Sequence, residues 1–457
     1  MSLRSQVMRG GVFLALRQAV GLALSLGGML LVTSAIGPKA FGIYSGVLAL
    51  MVFLLNVGQW GINVYLVRKE GELQDPDLQQ AFWLLLLLGG GITLLSCSLL
   101  PLIALFNRQP EFVPVGLALF PSLLLQILAT VPLARLERSL DYRRIAWVEL
   151  AAQATFLLLA FPLARAGYGV WAPVLGWWGQ QLLTAIAFYA LSPVALRWRW
   201  DQGRIRAMLG YGLGFSLSTW VWLLRNLVSP LVVGRFAGAE AVGYVNMAIR
   251  LVEMLGFVKT VAWRIAIAAL GRVQGDRAKL VEAINEGMRL QVLSLGPFLL
   301  GFALLGYWII PLVMNPKWLP VMQVFPFVAL GLLVQVLFAL HSSALYVLGR
   351  NWAVMQFHLL HIAVFVGSAL LLVPGVGLIG YGWAELIALA PYGLLHLQFS
   401  RLVGSPHYGI AGLWAAAFGL ALFWKTLGWW AFIPLLLVLA WPQTWQSLGR
   451  YWRMVRA

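Results

Sequence analysis

Apolar residues along this chain run in blocks of eighteen or more, not in one-sided stripes. A block of that length matches a membrane span, because about 20 helical residues cross the hydrocarbon core. Inside lipid each backbone N–H and C=O must find its partner within its own segment, so the blocks are predicted to be helices. The ten-residue alternation of a membrane β-barrel is not visible. The predicted spans are 10–36, 41–66, 80–106, 112–134, 145–166, 169–191, 207–235, 241–270, 290–314, 319–348, 352–374, 376–399, 409–425 and 428–442. The last two are short, so they form either a tight pair or a shallow hairpin. The expected fold is therefore all-α, a polytopic membrane protein of about fourteen transmembrane helices. The stretch after the basic Met1–Gly10 segment is too long for a signal-peptide core and reads as the first span.

The polar breaks between the blocks contain an internal echo. The turn after the first span reads Gly37-Pro38-Lys39-Ala40-Phe41-Gly42-Ile43-Tyr44, and the turn after the seventh reads Gly238-Ala239-Glu240-Ala241-Val242-Gly243-Tyr244. Both fit Gly-x-x-Ala-x-Gly followed by Tyr. A second echo precedes spans six and twelve: Gly167-Tyr168-Gly169 leads to Trp171-Ala172, and Gly380-Tyr381-Gly382 leads to Trp383-Ala384. Two echoes at matching places predict a duplicated six-helix unit. Six is even, so both copies enter the membrane in the same sense, giving a parallel repeat. Transporters built from such repeats hold substrate near the midplane between two bundles and rock around it. The expected organisation is a six-helix lobe over 1–191, a linker over 192–207, a second six-helix lobe over 208–400, and two extra helices with a basic tail over 401–457.

Charge then sets orientation. Only 10% of the 457 residues are charged, against about 25% in soluble domains, yet the net charge is +17. With the N-terminus placed inside, 21 of the 32 Lys and Arg fall in cytoplasmic segments, six in external loops and five within spans. That asymmetry follows the positive-inside rule and predicts both termini in the cytoplasm. It also gives the excess charge a membrane explanation, without nucleic acid. Many of the 22 tryptophans, such as Trp60, Trp198, Trp200, Trp318, Trp429, Trp430 and Trp441, lie near span ends, as interfacial anchors do. The single Cys97 leaves no disulfide framework and no thiolate metal site.

The repeat and its Gly37 turn, the Leu140-Asp141-Tyr142-Arg143-Arg144 start of span five, the Val233-Gly234-Arg235 exit of span seven and the Gly271-Arg272…Asp276-Arg277…Leu280 stretch together resemble a known family. It is the polysaccharide-transport branch of the multidrug/oligosaccharidyl-lipid/polysaccharide exporter superfamily, the Wzx-type polysaccharide and O-antigen flippases. The resemblance covers residues 10 to about 400. It implies a bacterial cytoplasmic (inner) membrane protein that carries undecaprenyl-diphosphate-linked oligosaccharide, for instance in lipopolysaccharide assembly, from the inner to the outer leaflet. It also implies antiport against an ion gradient. Relatives often carry an acid in span seven before the Gly-Arg exit; here the region reads Asn226-Leu227-Val228-Ser229-Pro230.

Charges within spans mark the expected chemistry, since each costs at least about 2.5–3.5 kcal/mol on insertion scales. They are Arg17, Glu149, Arg225, Arg250, Glu253, Lys259, Arg264 and Glu385. The basic excess suits a diphosphate, which the guanidinium fork binds bidentately. Arg17 is expected to receive the diphosphate from the inner leaflet, with snorkelling to the headgroups as the alternative. Arg225 and Arg250 are expected to hold it after rocking. Arg250 and Glu253, three apart, alternatively pair with each other. Glu149, Glu253 and Glu385 are candidates for coupling H+ or Na+; each is equally suited to a structural hydrogen bond. Gln180 and Gln181, beside Trp177 and Trp178, either line a sugar path or bond a neighbouring helix. His341, His358, His361 and His396 show no metal-ligand spacing and read as packing, so no metal or other cofactor is expected.

Other classes fit less well. A multidrug exporter of the same superfamily would carry a more acidic interior for cationic drugs, and a lipid II flippase is not separated by charge. A membrane polymerase or ligase would carry a substantial external loop, whereas every predicted external loop is short. No Gly-x-Ser-x-Gly elbow or Walker loop is present, so a transporter and not an enzyme is expected. The expected partners are the lipid-linked oligosaccharide and membrane lipids, with the chain acting as a monomer.

Overall fold

A computed structural model describes residues 3–195, 197–256, 270, 275–445 and 449; side chains are described for Gly21, 27–214 apart from 196, 216, 217 and 219 onward. Among these residues the fold is all-helical. The first unit contains α1 (Leu3–Gln59), α2 (Ile62–Arg68), α3 (Asp75–Asn107), α4 (Phe112–Leu119), α5 (Pro121–Arg138), α6 (Tyr142–Arg165), α7 (Trp171–Leu191) and α8 (Gln202–Leu223). After a 3-10 turn at Leu224–Leu227 and a π turn at Ser229–Val233 comes α9 (Gly234–Leu255). Then follow α10 (Arg277–Met314), α11 (Val321–Val347), α12 (Asn351–Val376), α13 (Leu378–Ile387), α14 (Tyr392–Leu402), α15 (Gly409–Leu422), α16 (Trp424–Leu427) and α17 (Ile433–Ala440). Among the described residues, eight helical stretches are long and apolar enough to cross a membrane, and up to ten if each of two bent pairs is one span. This is a multi-pass membrane protein.

The count differs from fourteen for identifiable reasons. Helix α1 carries the span expected at 10–36 and most of that at 41–66 as one 57-residue helix, kinked where Gly37 takes φ 80° and ψ 171°; the end of the second span falls in α2. A straight helix of that length would be roughly 85 Å at 1.5 Å per residue, far beyond one bilayer crossing. Helix α7 has 21 residues, but its tryptophans and glutamines leave it less apolar than the eight. Of the span expected at 241–270, residues 257–269, with Lys259 and Arg264, lie outside the described residues. At the end of the chain, α15 and the segment 424–440 meet at a 67° bend. Helix α15, at 14 residues or about 21 Å, is too short to cross a core of about 30 Å.

Packing divides the chain into two compact units: 1–243 with 313–318, and 244–312 with 319–457. The division falls within α9, later than the 192–207 linker expected from sequence. Side-chain bonds to the backbone explain why α8 stays with the first unit. Trp60 Nε1 donates to the Leu209 carbonyl at 3.1 Å, and Trp220 Nε1 donates to the Asn56 carbonyl at 3.0 Å. Their rings meet edge to face at 5.0 Å. Gly61, at φ 68°, has Ser216 Oγ only 2.6 Å from where a Cβ would be, and a Cβ on Gly212 would strike the Trp60 carbonyl. The segment before α8 is held as well: Trp83 Nε1 donates to the Arg197 carbonyl at 3.1 Å, and Arg135 Nη1 to that of Pro193 at 3.3 Å.

The two repeat turns are packed on each other inside the first unit. Gly37 and Gly238 share one unusual conformation, φ 80°, ψ 171° and φ 85°, ψ 174°. Five residues on from each kink, a Cβ on Gly42 would collide with the Ala239 carbonyl, and one on Gly243 with the Pro38 carbonyl. The contact is reciprocal, as expected of related segments. Nearby, Phe41 meets the wholly buried Trp318 edge to face at 5.6 Å, and Asn315 Nδ2 donates to the Ser34 carbonyl at 3.0 Å.

The second echo has no such likeness. Gly167 and Gly169 form a turn with φ 86° and 54° beside an exposed Tyr168. Gly380 and Gly382 instead lie inside α13, where a Cβ would fall 2.6 Å from the Leu372 carbonyl oxygen and from the Phe327 ring. Tyr381 between them is buried.

A methyl group at position 42 should therefore force two backbones apart. Gly42→Ala is expected to destabilise by at least about 1–3 kcal/mol. Gly90→Ala, on α3 with nothing within 4 Å of its Cβ position, should be neutral or stabilising by up to about 1 kcal/mol. Thermal melting of both variants in detergent checks the contrast.

Candidate transport site

Between α8 and α9 the helix does not continue regularly. Residues Leu224–Leu227 tighten into a 3-10 turn and Ser229–Val233 widen into a π turn. Pro230 causes part of this, because it has no N–H and its ring crowds the preceding turn. A break at membrane depth frees backbone carbonyls that lipid cannot solvate. Here the side chains that follow from α3 take them. Asn107 Nδ2 donates to the Pro230 carbonyl at 3.0 Å, and Gln109 Nε2 to the Gly234 carbonyl at 2.7 Å. Asn107 is buried. Helix α3 ends at Asn107, where Arg108 turns left-handed at φ 55°; Asn107 and Gln109, on either side of that turn, reach the break.

Arg225 lies in this break. It is half-buried, with its guanidinium 5.8 Å from the Trp222 ring centroid, so an aromatic face supports the charge. Helix ends and unwound turns inside a bundle are where transporters hold charged substrate groups. The first unit also holds Glu149, Gln180 and Gln181. Glu149 is exposed on α6. Gln181 is buried and Gln180 half-buried on α7. The rings beside them are tied to neighbouring helices: Trp177 Nε1 donates to Ser122 Oγ at 2.9 Å and Trp178 Nε1 to the Ala118 carbonyl at 2.7 Å. These two indoles therefore fasten α7 to α5 and α4.

The second unit holds Arg250, Glu253 and Glu385. Arg250 is half-buried and Glu253 exposed on α9, and among the described residues no ion pair joins them. Glu385 is 2% exposed and accepts a hydrogen bond from Tyr381 Oη at 2.9 Å. Gly331 lies beside it: a Cβ there would make ordinary contact with Glu385 Oε2 at 3.8 Å. The side chain of Arg17 lies outside the described residues.

Three groups escaped the sequence reading. Asn107 and Gln109 are one. Asp77, only 1% exposed, is another: Lys69 Nζ reaches it at 2.5 Å, Arg204 Nη1 at 2.7 Å and the Gln74 amide at 3.1 Å. Two cations and an amide satisfy this carboxylate, and through Arg204 it fixes the start of α8. The third joins His341 and His396 through Tyr408. None carries a local spacing signal. Among the described residues no cluster of three or more His, Cys, Asp or Glu is placed to hold a metal ion.

Long apolar helices and a capped helix break around an arginine define a multi-pass membrane protein with a transporter fold. That fold is shared with solved transporters. Lipid II flippase MurJ superposes with a TM-score of 0.72 at 13% identity, over 98% of this chain and 100% of that one. An inward-facing multidrug resistance MATE transporter of the MOP superfamily gives 0.63 at 17%, over 84% and 98%. The chain belongs to the polysaccharide biosynthesis protein family, whose profile matches residues 32–323. It is 23% identical to the lipopolysaccharide biosynthesis protein WzxC of Escherichia coli strain K12, over 71% of this chain and 67% of WzxC. It is 21% identical to the succinoglycan biosynthesis transport protein ExoT of Rhizobium meliloti strain 1021, over 58% of this chain and 54% of ExoT. The matched stretch thus spans between about half and two thirds of these two relatives.

Removing the cap should expose the cost of the break. Asn107→Ala removes the side-chain donor to the Pro230 carbonyl and is expected to destabilise by about 0.5–1.5 kcal/mol. Thermal melting should show the loss, with Asn107→Asp, which also removes the donor, no better than alanine.

Proposed function

We propose that this protein moves a lipid-linked oligosaccharide from the inner to the outer leaflet of the bacterial cytoplasmic membrane by alternating access. The observation that carries the reading is membership in a family whose relatives serve chemically different glycans. WzxC is named for lipopolysaccharide, ExoT for succinoglycan transport, and a third relative, TuaB of Bacillus subtilis strain 168, for teichuronic acid. A shared carrier lipid is the chemistry that such different glycans would have in common. Undecaprenyl diphosphate is that carrier in this reading, and its two phosphates match a basic site.

Arg225 is the residue proposed to meet the diphosphate. A guanidinium stays charged at every relevant pH and offers a fork of donors. Where water is scarce its attraction to phosphate is stronger than in bulk. Arg17 and Arg250 are proposed as further diphosphate contacts, and Gln180 and Gln181 as polar groups for sugar. Transport is driven by a gradient of H+ or Na+, with Glu149, Glu253 and Glu385 as candidate coupling acids. Both termini face the cytoplasm in this scheme, as the distribution of Lys and Arg supports.

Inactivating the gene is expected to abolish surface glycan and to leave lipid-linked repeat units on the inner leaflet. Accumulation on the outer leaflet would overturn the reading, because the protein would then act after translocation. Normal glycan with a build-up of lipid II, or with raised drug sensitivity, would assign it the substrates of its structural neighbours. In the restored strain, Arg225→Ala should lower export by about 10- to 100-fold, the loss of a charge-assisted hydrogen bond of about 1.5–3 kcal/mol. Membrane abundance should be unchanged by immunoblot. Full export by Arg225→Ala would remove this residue from the path.

A further inference from the structure

One buried polar chain in the second unit has no part in the site above. His341 on α11 is fully buried. Its Nε2 lies 2.8 Å from Tyr408 Oη, and the same hydroxyl lies 2.7 Å from His396 Nδ1 on α14. Ser400 Oγ is 3.3 Å from His396. Tyr408 stands immediately before α15, so one hydroxyl joins two helices to the start of a third. His396 and Tyr408 are only half-buried. The chain therefore runs from a partly accessible imidazole to an enclosed one.

A hydroxyl has a single proton. Between two ring nitrogens at these distances it donates to one and accepts from the other. One imidazole must then present N–H and the other a lone pair. Whichever tautomer holds, His341 Nδ1 has no hydrogen-bond partner among the described residues. An added proton can pass along the bridge. His341 Nε2–H gives its proton to Tyr408 Oη as Tyr408 gives its own to His396 Nδ1, and the phenol is neutral before and after. The reverse shift returns the charge to His341.

Aromatic rings enclose the buried imidazole and moderate the cost of a transient cation. Around His341 the Tyr408 ring is stacked at 5.9 Å and 10°, Phe399 is edge-on at 5.1 Å, and Phe338 is tilted at 5.3 Å. Aromatic faces attract cations. The other groups near the triad are few. On α14 they are Ser400, Tyr392 in the next ring layer, and Arg401 at the exposed end. On α12 His361 meets Tyr392 at 5.8 Å, and both His361 and His358 pack on Phe357. On α10, which meets α11 where Gly287 faces Leu340, Glu286 and Arg289 are paired with each other at 3.4 Å. Before α15, Asn285 accepts from the His407 amide at 2.8 Å. Among the described residues no carboxylate bonds to the triad.

We propose that His341, Tyr408 and His396 form one shared proton-binding site, and that this proton drives the transport cycle. The second half of that statement rests on the transport reading above; the first half does not. The site lies near the end of the second unit that carries the Leu348–Arg350 turn and the 403–407 loop, since His341 is seven residues before Leu348 and His396 seven before Val403. Protonation would strengthen the joint between α11, α14 and the start of α15. The proton is thus bound where it can alter helix packing.

The test needs no substrate at first. The full-length protein in lipid nanodiscs, with 13C-labelled histidine, is titrated between pH 4 and 8, and resonances are assigned by single His→Gln variants. The expected result is that His341 and His396 titrate as a pair. Removing either imidazole, or inserting Tyr408→Phe, should then move the remaining midpoint by about one pH unit. Midpoints that ignore both changes would overturn the shared site. Tyr408→Phe keeps all the rings and is the variant to use if His341→Gln fails to fold. Export of glycan is then compared in cells with and without a proton uncoupler. Tyr408→Phe and His396→Gln should lose at least tenfold of the uncoupler-sensitive export at normal protein abundance. Paired titration with undiminished export in both variants would overturn the coupling role. Failure of the gene-inactivation experiment would sink the transport reading while the titration still decides the proton site.

Discussion

In lipid, apolar side chains gain nothing by leaving the solvent, so helices are held by close packing and by polar bonds. The first unit depends on one such approach, the crossing of the Gly37–Gly42 and Gly238–Gly243 turns. Both backbones occupy the space that a Cβ would fill. The kinks at Gly37 and Gly238 set up this contact, because φ near 80° is open to glycine and strained for most other residues. The same solution recurs where Gly61 and Gly212 let α8 lie against the end of α1. Two glycine crossings, with the Trp60 and Trp220 indole bonds, bind the seventh predicted span into the first unit.

That constraint also explains what could be read from sequence. The Gly-x-x-Ala-x-Gly echo was legible because backbone contact demands glycine at fixed positions, and each demand leaves a letter. The Gly-Tyr-Gly echo used the same letters for two purposes, a left-handed turn at 167–169 and close helix packing at 380–382. Apolar block length made the helices legible. The kink inside α1 was not, because Gly37-Pro38 reads equally well as a turn between two helices. The caps at Asn107 and Gln109 lie more than 120 positions from the carbonyls they satisfy. No local pattern joins such partners.

Buried charge divides into two kinds. Asp77 is enclosed by Lys69, Arg204 and the Gln74 amide, and its partners leave it structural work. Sequence reading passed over it because it stands at the start of a span, where acids are ordinary at helix N-termini. Arg225 differs in its place: it lies on interrupted backbone whose carbonyls are held from α3, beside a tryptophan face. The break is conspicuous at Pro230, but its capping made the position stable enough to carry a cation. A charged group can be kept at membrane depth when the backbone around it is already satisfied.

The same reasoning bears on which groups suit a coupling proton. A carboxylate is charged when empty and neutral when loaded, so lipid favours its loaded state. An imidazole pair bridged by a phenol is neutral when empty and charged when loaded, so a low-dielectric site favours release. Of the acids considered, Glu149 and Glu253 are exposed, and Glu385 already accepts from Tyr381. The His341–Tyr408–His396 chain reaches full burial without a standing charge, and its enclosing rings moderate the cost of the loaded form. A proton held there is bound against the preference of its surroundings. It is therefore returned readily once the helices repack, which is the property a coupling site requires.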